Sequence, residues 1–150
     1  MSYPEAIRVP GLRNLIVAEG KTRLAQMLTG ESAGSFVKWI AMGTSSSPAR
    51  DSDRYSAIKA ETGRILIELP VAASLCPGVF SISDPDTLET PPVARFTATL
   101  DYGQLVGATI GELMLVFEDK TVMLARKSLG GGISRGPGWT LVVNWFIVIS

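Results

Sequence analysis

The spacing of hydrophobic residues changes along this chain, from a helical period near its start to the shorter runs of β-strands. Over residues 11–29 the apolar positions fall largely on one side of a helix, although Gly20 interrupts the pattern. Gly30 follows as a stop signal. From residue 36 onward, short apolar runs alternate with Gly, Pro and Asp. The pattern predicts an N-terminal helix followed by a β-rich domain.

One stretch of the chain shows this organisation most clearly, because each part differs sharply in composition from the next. An apolar run over residues 36–42 stops at Gly43, and a serine-rich polar loop occupies residues 44–51. A short helical segment over residues 52–60 then leads into an apolar strand over residues 65–69. We interpret the stretch as a strand, a polar crossover, a short helix and a second strand.

The remainder of the chain predicts further strands and one hairpin. Their predicted ranges are 65–71, 79–83, 93–102, 105–117 with 121–128 as the hairpin, and 139–149. Glycine clusters at 130–132 and 136–138 predict a loop before the last strand. The predicted fold is mainly β (α+β): an antiparallel β-sandwich-like domain with an N-terminal helix and a short helix in the crossover. Residues 11–150 form a single domain in this interpretation, and residues 1–10 form an extended arm.

Two of the predicted strands are apolar on both faces, whereas a strand with one face in water should alternate. Each large side chain left in water would forfeit about 1.5–3 kcal/mol, so the pattern predicts burial on both sides. We expect a second subunit to cover one face, in preference to the chain's own helix. The residues assigned to this interface are Leu113, Leu115, Phe117, Leu141, Val143, Trp145, Ile147 and Ile149.

Two polar pairs are predicted to stabilise the fold. Glu61 and Arg64 are three residues apart at a helix end and could pair there. If the hairpin loop has three residues, Glu112 lies directly opposite Arg126 on the neighbouring strand. We interpret both pairs as determinants of fold specificity, with no catalytic role.

Composition and charge argue against several functional classes. Lys and Arg number 14, as do Asp and Glu, so the formal net charge is zero and gives no electrostatic reason to bind nucleic acid or an anionic membrane. The chain has no histidine, which removes the commonest general base and metal ligand. Cys76 is the single cysteine and is interpreted as a small buried hydrophobe. We therefore expect no enzymatic activity, no cofactor and no metal.

No apolar run approaches the roughly 20 residues of a membrane helix, and the first residues do not resemble a signal peptide. We expect a protein made in the cytoplasm, without insertion into a membrane.

Short matches to catalytic and binding motifs fail on their context. The Gly20-Lys21-Thr22 sequence lacks the earlier glycine of a phosphate-binding loop. Ser35 and Ser56 each precede a lysine by three residues, but the companion motifs of penicillin-binding enzymes are missing. The carboxylates over residues 84–89 lack the calcium-loop pattern. The three tryptophans lie in apolar strands, so core or interface is favoured over sugar stacking: Trp39, Trp139 and Trp145.

Five short motifs, taken in order, carry a resemblance to a known family. They are Ile40-Ala41-Met42-Gly43-Thr44, Glu61 to Arg64, Phe96 to Thr99, the hairpin from Glu112 to Leu124-Ala125-Arg126, and the Trp-containing strand over 141–149. Over residues 11–150 the chain resembles bacteriophage tail proteins of the tail-fibre, collar-fibre or baseplate-attached kind. Two segments depart from the family pattern: residues 114–117, where the family often has Gly-Leu-Phe, and residues 71–92.

The resemblance implies a β-rich structural protein of the virion tail, made in the host cytoplasm. Such a protein would anchor or extend a fibre, or join the baseplate to a receptor-binding part. The implied partners are other phage tail proteins and further copies of the same chain, with a trimer expected by analogy with fibres. The alternative is a carbohydrate- or receptor-binding module at the tail tip, with a host-surface glycan as partner, which requires exposed aromatic side chains.

Overall fold

The computed structural model describes residues 15–75 and 93–148 and shows two antiparallel sheets packed against each other, which confirms the predicted fold class. The elements are β1 (Leu15–Ile16), α1 (Ala18–Thr29), β2 (Val37–Gly43), α2 (Tyr55–Ala60), β3 (Ile65–Pro70), β4 (Ala72–Leu75), β5 (Val93–Leu100), β6 (Thr109–Phe117), β7 (Met123–Ser134) and β8 (Leu141–Val148). One sheet has the strand order β1-β7-β6-β2-β3, and the other has the order β4-β5-β8. The predicted arm over residues 1–10, the strand over 79–83, Cys76 and Ile149 lie outside the described residues.

Two hydrophobic clusters lie on opposite faces of the five-stranded sheet. The larger cluster fills the space between the sheets and includes Ile40, Leu115 and Trp145. The smaller cluster lies under the helices, where Tyr55 and Ile58 of α2 pack near Met114. This sheet is therefore buried on both faces, and its strands carry the continuous apolar runs that such burial requires.

This layering corrects the predicted subunit interface. Leu113, Leu115 and Phe117 face the second sheet, and their alternates Met114 and Val116 belong to the cluster beneath the helices. The chain thus covers both faces of β6 itself, because the second sheet lies on one side and α2, together with Val17, lies on the other.

The same correction applies to β8. Val143 and Trp145 are buried in the core between the sheets, while Leu141 and Ile147 are partly buried against it. Val142, on the opposite face of the strand, is 51% exposed. Val143 and Trp145 are therefore core residues of the chain, whereas the assignment of Leu141 and Ile147, at the margin of the core, to an interface stays a prediction.

Helix α1 is shorter than predicted, because Leu15 pairs with Arg126 and Ile16 pairs with Ala125 of β7, which makes these residues a short strand. Gly20 lies within the helix and faces the backbone of that same strand. A Cβ atom on Gly20 would lie 2.5 Å from the carbonyl oxygen of Leu124, so only glycine allows this approach. Gly30 ends the helix in the left-handed conformation, as predicted.

The hairpin between β6 and β7 has a longer loop than predicted. Glu112 lies opposite Ser128, and Arg126 lies opposite Met114, so the predicted direct pairing is wrong by two residues. A β-bulge between Leu115 and Val116 accounts for part of this shift.

Strand β7 extends to Ser134, through the glycine cluster that was predicted as part of a loop. Ile110 pairs with Ile133 while Glu112 pairs with Ser128, so four residues, 129–132, bulge out of the ladder opposite Gly111.

Candidate functional site

A buried carboxylate lies where the crossover, β3, β6 and β7 meet. Glu112 is 0% exposed and accepts hydrogen bonds from two guanidinium groups. Arg64 donates from Nε and Nη2, both at 2.9 Å, and Arg126 donates from Nε at 2.8 Å. The backbone N–H of Ser45 donates the fourth hydrogen bond at 3.0 Å. Every lone-pair direction of the carboxylate therefore has a donor.

The other side of the Arg126 guanidinium reaches the crossover loop. Its Nη1 donates to Asp53 at 3.1 Å, and its Nη2 donates to the carbonyl oxygen of Ser47 at 3.0 Å. Asp53 in turn accepts a hydrogen bond from the backbone N–H of Arg50 at 2.8 Å. Arg126 is 0% exposed, so its charge is balanced entirely inside the protein. We call Arg64, Glu112, Arg126 and Asp53 the ion network.

Two glycines make room for this network. A Cβ atom on Gly43 would overlap Oε2 of Glu112. A Cβ atom on Gly111 would lie 2.7 Å from the carbonyl oxygen of Thr44. Both glycines therefore allow the serine-rich loop and the buried carboxylate to approach the sheet backbone closely.

The electrostatics of the network favour the charged form of Glu112. Burial by itself raises the pKa of this carboxyl, but the hydrogen bonds from Arg64, Arg126 and Ser45 outweigh burial and hold the pKa below its ordinary value. The hydrogen bond with Glu112 raises the pKa of Arg64. Both shifts favour the charged forms of Glu112 and Arg64.

Both predicted polar pairs occur as ion pairs in the structure. Arg64 contacts Glu61 through Nη1, and Glu112 contacts Arg126 diagonally across the hairpin. The sequence did not indicate that an ion pair between Arg64 and Glu112 joins the two predicted pairs, because these residues are far apart along the chain. It also did not identify Asp53 as a partner of Arg126. The one clue in the sequence to this network was the Gly43-Thr44-Ser45 segment. Its glycine is needed because a side chain at position 43 would overlap the Glu112 carboxylate.

A second carboxylate, Glu68, has a similar arrangement on the helix-covered side of the sheet. It accepts a hydrogen bond from the Tyr55 hydroxyl and lies 3.4 Å from Nζ of Lys59 and 3.3 Å from Nζ of Lys120. Burial and the bond to Glu68 raise the pKa of Tyr55. Burial by itself raises the pKa of Glu68, but the bonds from Tyr55 and Lys120 and the charge of Lys59 bring it below its ordinary value. Glu68 therefore has one hydroxyl and two ammonium partners, which satisfy its charge.

Arg135 organises the loops at one end of the molecule, and sequence reasoning did not identify it. Its buried guanidinium donates to the carbonyl oxygens of Asp101 and Trp139, both at 2.8 Å, and of Gln104 at 3.3 Å. The same loops carry two exposed aromatic side chains, Tyr102 at 71% and Trp139 at 47%. We call Tyr102 and Trp139 the aromatic end.

The other tryptophans are not available for stacking on a ligand. Trp145 is fully buried, and Lys120 lies over the ring of Trp39 at 4.1 Å from its centre. The indole N–H of Trp39 donates to the carbonyl oxygen of Glu118 at 3.3 Å.

The serines of the two Ser-x-x-Lys matches lie in unrelated settings. Ser35 accepts a hydrogen bond from Arg23 at 3.3 Å, and Ser56 lies on the exposed side of α2. Within residues 15–75 and 93–148, no group of three side chains is arranged to hold a metal ion. No helix in the described part of the chain is long and apolar enough to cross a membrane.

No family model, curated protein or solved structure matches this chain.

Proposed function

We propose that this chain is a non-enzymatic structural component of a phage tail that acts by oligomerising and by docking to other tail proteins. One observation carries the proposal. Gly43, Arg64, Glu112 and Arg126 come from three of the motifs on which the family resemblance rests, and they meet at the ion network, with Gly43 making room for Glu112. Residues of these motifs therefore contact each other in the folded chain, and this supports the view that the motifs reflect a fold shared with the family.

The chemistry of the ion network supports a structural role. Glu112 and Arg126 are fully buried, so neither can touch a substrate. Each charge already has its partners, and a general acid or base needs an open position. Buried ionic networks of this kind favour one arrangement of the chain over its alternatives, which supports an assembly protein with fixed surfaces.

The proposed mechanism is docking by a rigid surface. Arg126 holds the crossover loop onto the sheet through Ser47 and Asp53, and Arg135 holds the loops of the aromatic end. Loops held in one conformation lose less conformational entropy when they bind a partner, so the same contacts give a higher affinity.

Labelling of virions tests the location. An antibody raised against the purified protein should decorate the tails of the phage particles whose genome encodes the chain, seen by negative-stain electron microscopy. An antibody against a cytoplasmic enzyme of the same host is the control for adsorption. Failure to label tails, with the protein recovered only from the particle-free fraction, would overturn the proposal.

The aromatic end supports one alternative, a carbohydrate- or receptor-binding module at the tail tip. Exposed Tyr102 and Trp139 on ordered loops are side chains that could stack on a sugar ring. A titration of tryptophan fluorescence with host polysaccharide tests this, and Trp139→Ala should abolish the response. Phe36→Ala is the matched control, because Phe36 is an exposed aromatic residue (52%) on another segment.

A further inference from the structure

The sheet edges of this protein are protected to different degrees. Among the described strands, β1, β3, β4 and β8 lie at edges. β1 has two residues and β4 has four, and short edges offer little backbone for pairing. β3 carries Glu68, held by two lysines, and ends at Pro70. Charge and proline are the usual devices that prevent an edge from pairing with another chain.

Strand β8 has none of these devices. Its eight residues, LVVNWFIV, include no charged residue and no proline. Its register with β5 runs without a bulge from Leu141 opposite Leu100 to Val148 opposite Val93. β5 is the only strand in the described part of the chain that pairs with β8. An edge that is long, regular and uncharged is the kind that pairs with a further strand.

We propose that β8 pairs with β8 of a second copy of this chain, antiparallel and about a twofold axis, so that the three-stranded sheets of two copies form one six-stranded sheet. This inference rests on the self-assembly in the proposed function and names the surface that carries it. The proposed contact joins copies in pairs, whereas the expected trimer came from analogy alone and would need a different surface.

Charge and symmetry favour a second copy as the occupant. An antiparallel strand beside its own copy is self-complementary, because each residue pair occurs twice. The absence of charge on β8 means that two copies meet without repulsion, while a charged peptide would find no opposite charge on this strand. Leu141 and Ile147 are only partly buried at the margin of the core, so a second strand would bury them further.

The size of the contact sets its strength. Eight residues at about 3.4 Å each give a strand of about 27 Å, and a single ladder of that length buries less than a standard stable interface. The pairing should therefore depend on concentration for the purified protein. In an assembly, attachment to neighbouring parts would raise the effective concentration and hold the pair together.

Residue-resolved amide hydrogen exchange on the wild-type protein is the direct test. Alternate amides of a bare edge strand point away from its neighbour and exchange fast, whereas a strand paired on both sides protects all of them. We expect alternate β8 amides to become protected as concentration rises over about two orders of magnitude. Light scattering should show the mass rising from 16.0 kDa towards twice that value over the same range.

A matched pair of variants separates the edge from the sheet face. Val142 on β8 and Thr99 on β5 are cross-strand neighbours, and both are exposed. Val142→Lys places a charge on the edge and should weaken self-association at least about tenfold, while Thr99→Lys, one strand further in, should change it less than about twofold. Circular dichroism checks that both variants are folded.

Several results would overturn the inference. Alternate amides that stay fast at every concentration would show that no strand pairs with β8. Amides that are all slow while the protein is monomeric would show that the chain covers its own edge. An oligomer, such as a trimer, that both variants leave intact would place self-association on another surface. That last result would leave the proposed tail function standing, since labelling of virions tests it independently.

Discussion

Replacement of Glu112 by glutamine should destabilise the fold far more than the loss of an exposed charge. The carboxylate accepts two hydrogen bonds from Arg64, one from Arg126 and one from the N–H of Ser45. Glutamine keeps the size of the side chain but turns one acceptor oxygen into an NH₂ group. That group would face N–H donors, because every neighbour of the carboxylate is a donor.

The magnitude follows from the bonds lost. Two donors lose their acceptor, and a hydrogen bond to a charged group contributes about 1.5–3 kcal/mol, so we expect a loss of about 3–6 kcal/mol. Removal of one partner from a buried ion pair gives a similar figure, about 3–5 kcal/mol. Arg126 retains Asp53 and the Ser47 carbonyl, which favours the lower part of the range.

Urea denaturation followed by circular dichroism measures the change. Glu61→Gln is the matched control, since Glu61 also contacts Arg64 but its side chain is 58% exposed, and we expect it to cost less than about 1 kcal/mol. Equal effects of the two substitutions, or a cost below about 1 kcal/mol for Glu112→Gln, would refute the claim that the ion network holds the crossover to the sheet.

Three further predictions use the same denaturation assay. The pKa of Glu112 in the folded protein lies below its ordinary value of 4.5, so its contribution to stability is present above pH 4.5 and is lost as the pH falls below that value. The wild-type protein should therefore lose stability more steeply on acidification than Glu112→Gln. Parallel curves of stability against pH would contradict this. Gly20→Ala should destabilise the fold by about 1–3 kcal/mol, because the alanine Cβ atom would overlap the backbone of β7, although alanine normally favours a helix. Gly131→Ala is the control: its Cβ atom meets open space, so the change in stability should be close to zero. Trp145→Asp should cost about 4 kcal/mol or more and unfold the monomer, while Val142→Asp should stay within about 1 kcal/mol; a folded Trp145→Asp protein would contradict the burial of this residue in the chain's own core.

Local patterns predicted most of the secondary structure. The strand ending at Gly43, the strand beginning at Ile65 and the helix stop at Gly30 agree with the structure, because each depends on the chemistry of neighbouring residues. The hairpin register was wrong, since the loop is longer than three residues and a β-bulge adds a residue on one strand only; neither leaves a clear mark in the sequence.

The apolar runs illustrate the limit of sequence reasoning. The two-faced pattern of β6 correctly indicated burial on both sides but could not say what covers each face. A second sheet, the helices and another subunit all present the same apolar surface to a strand. Only the position of the layers shows that the chain's own elements cover Leu115 on one side and Met114 on the other.

By itself, the sequence determined the chemical character of this protein: a mainly β chain without net charge or histidine, whose polar residues include two recognisable pairs. The tertiary structure decided that Arg64, Glu112, Arg126 and Asp53 form one network, and that Arg135 holds the loops of the aromatic end. The physical reason is that hydrophobic period and turn chemistry act over a few residues, whereas the partner of a buried charge is set by contacts between distant segments.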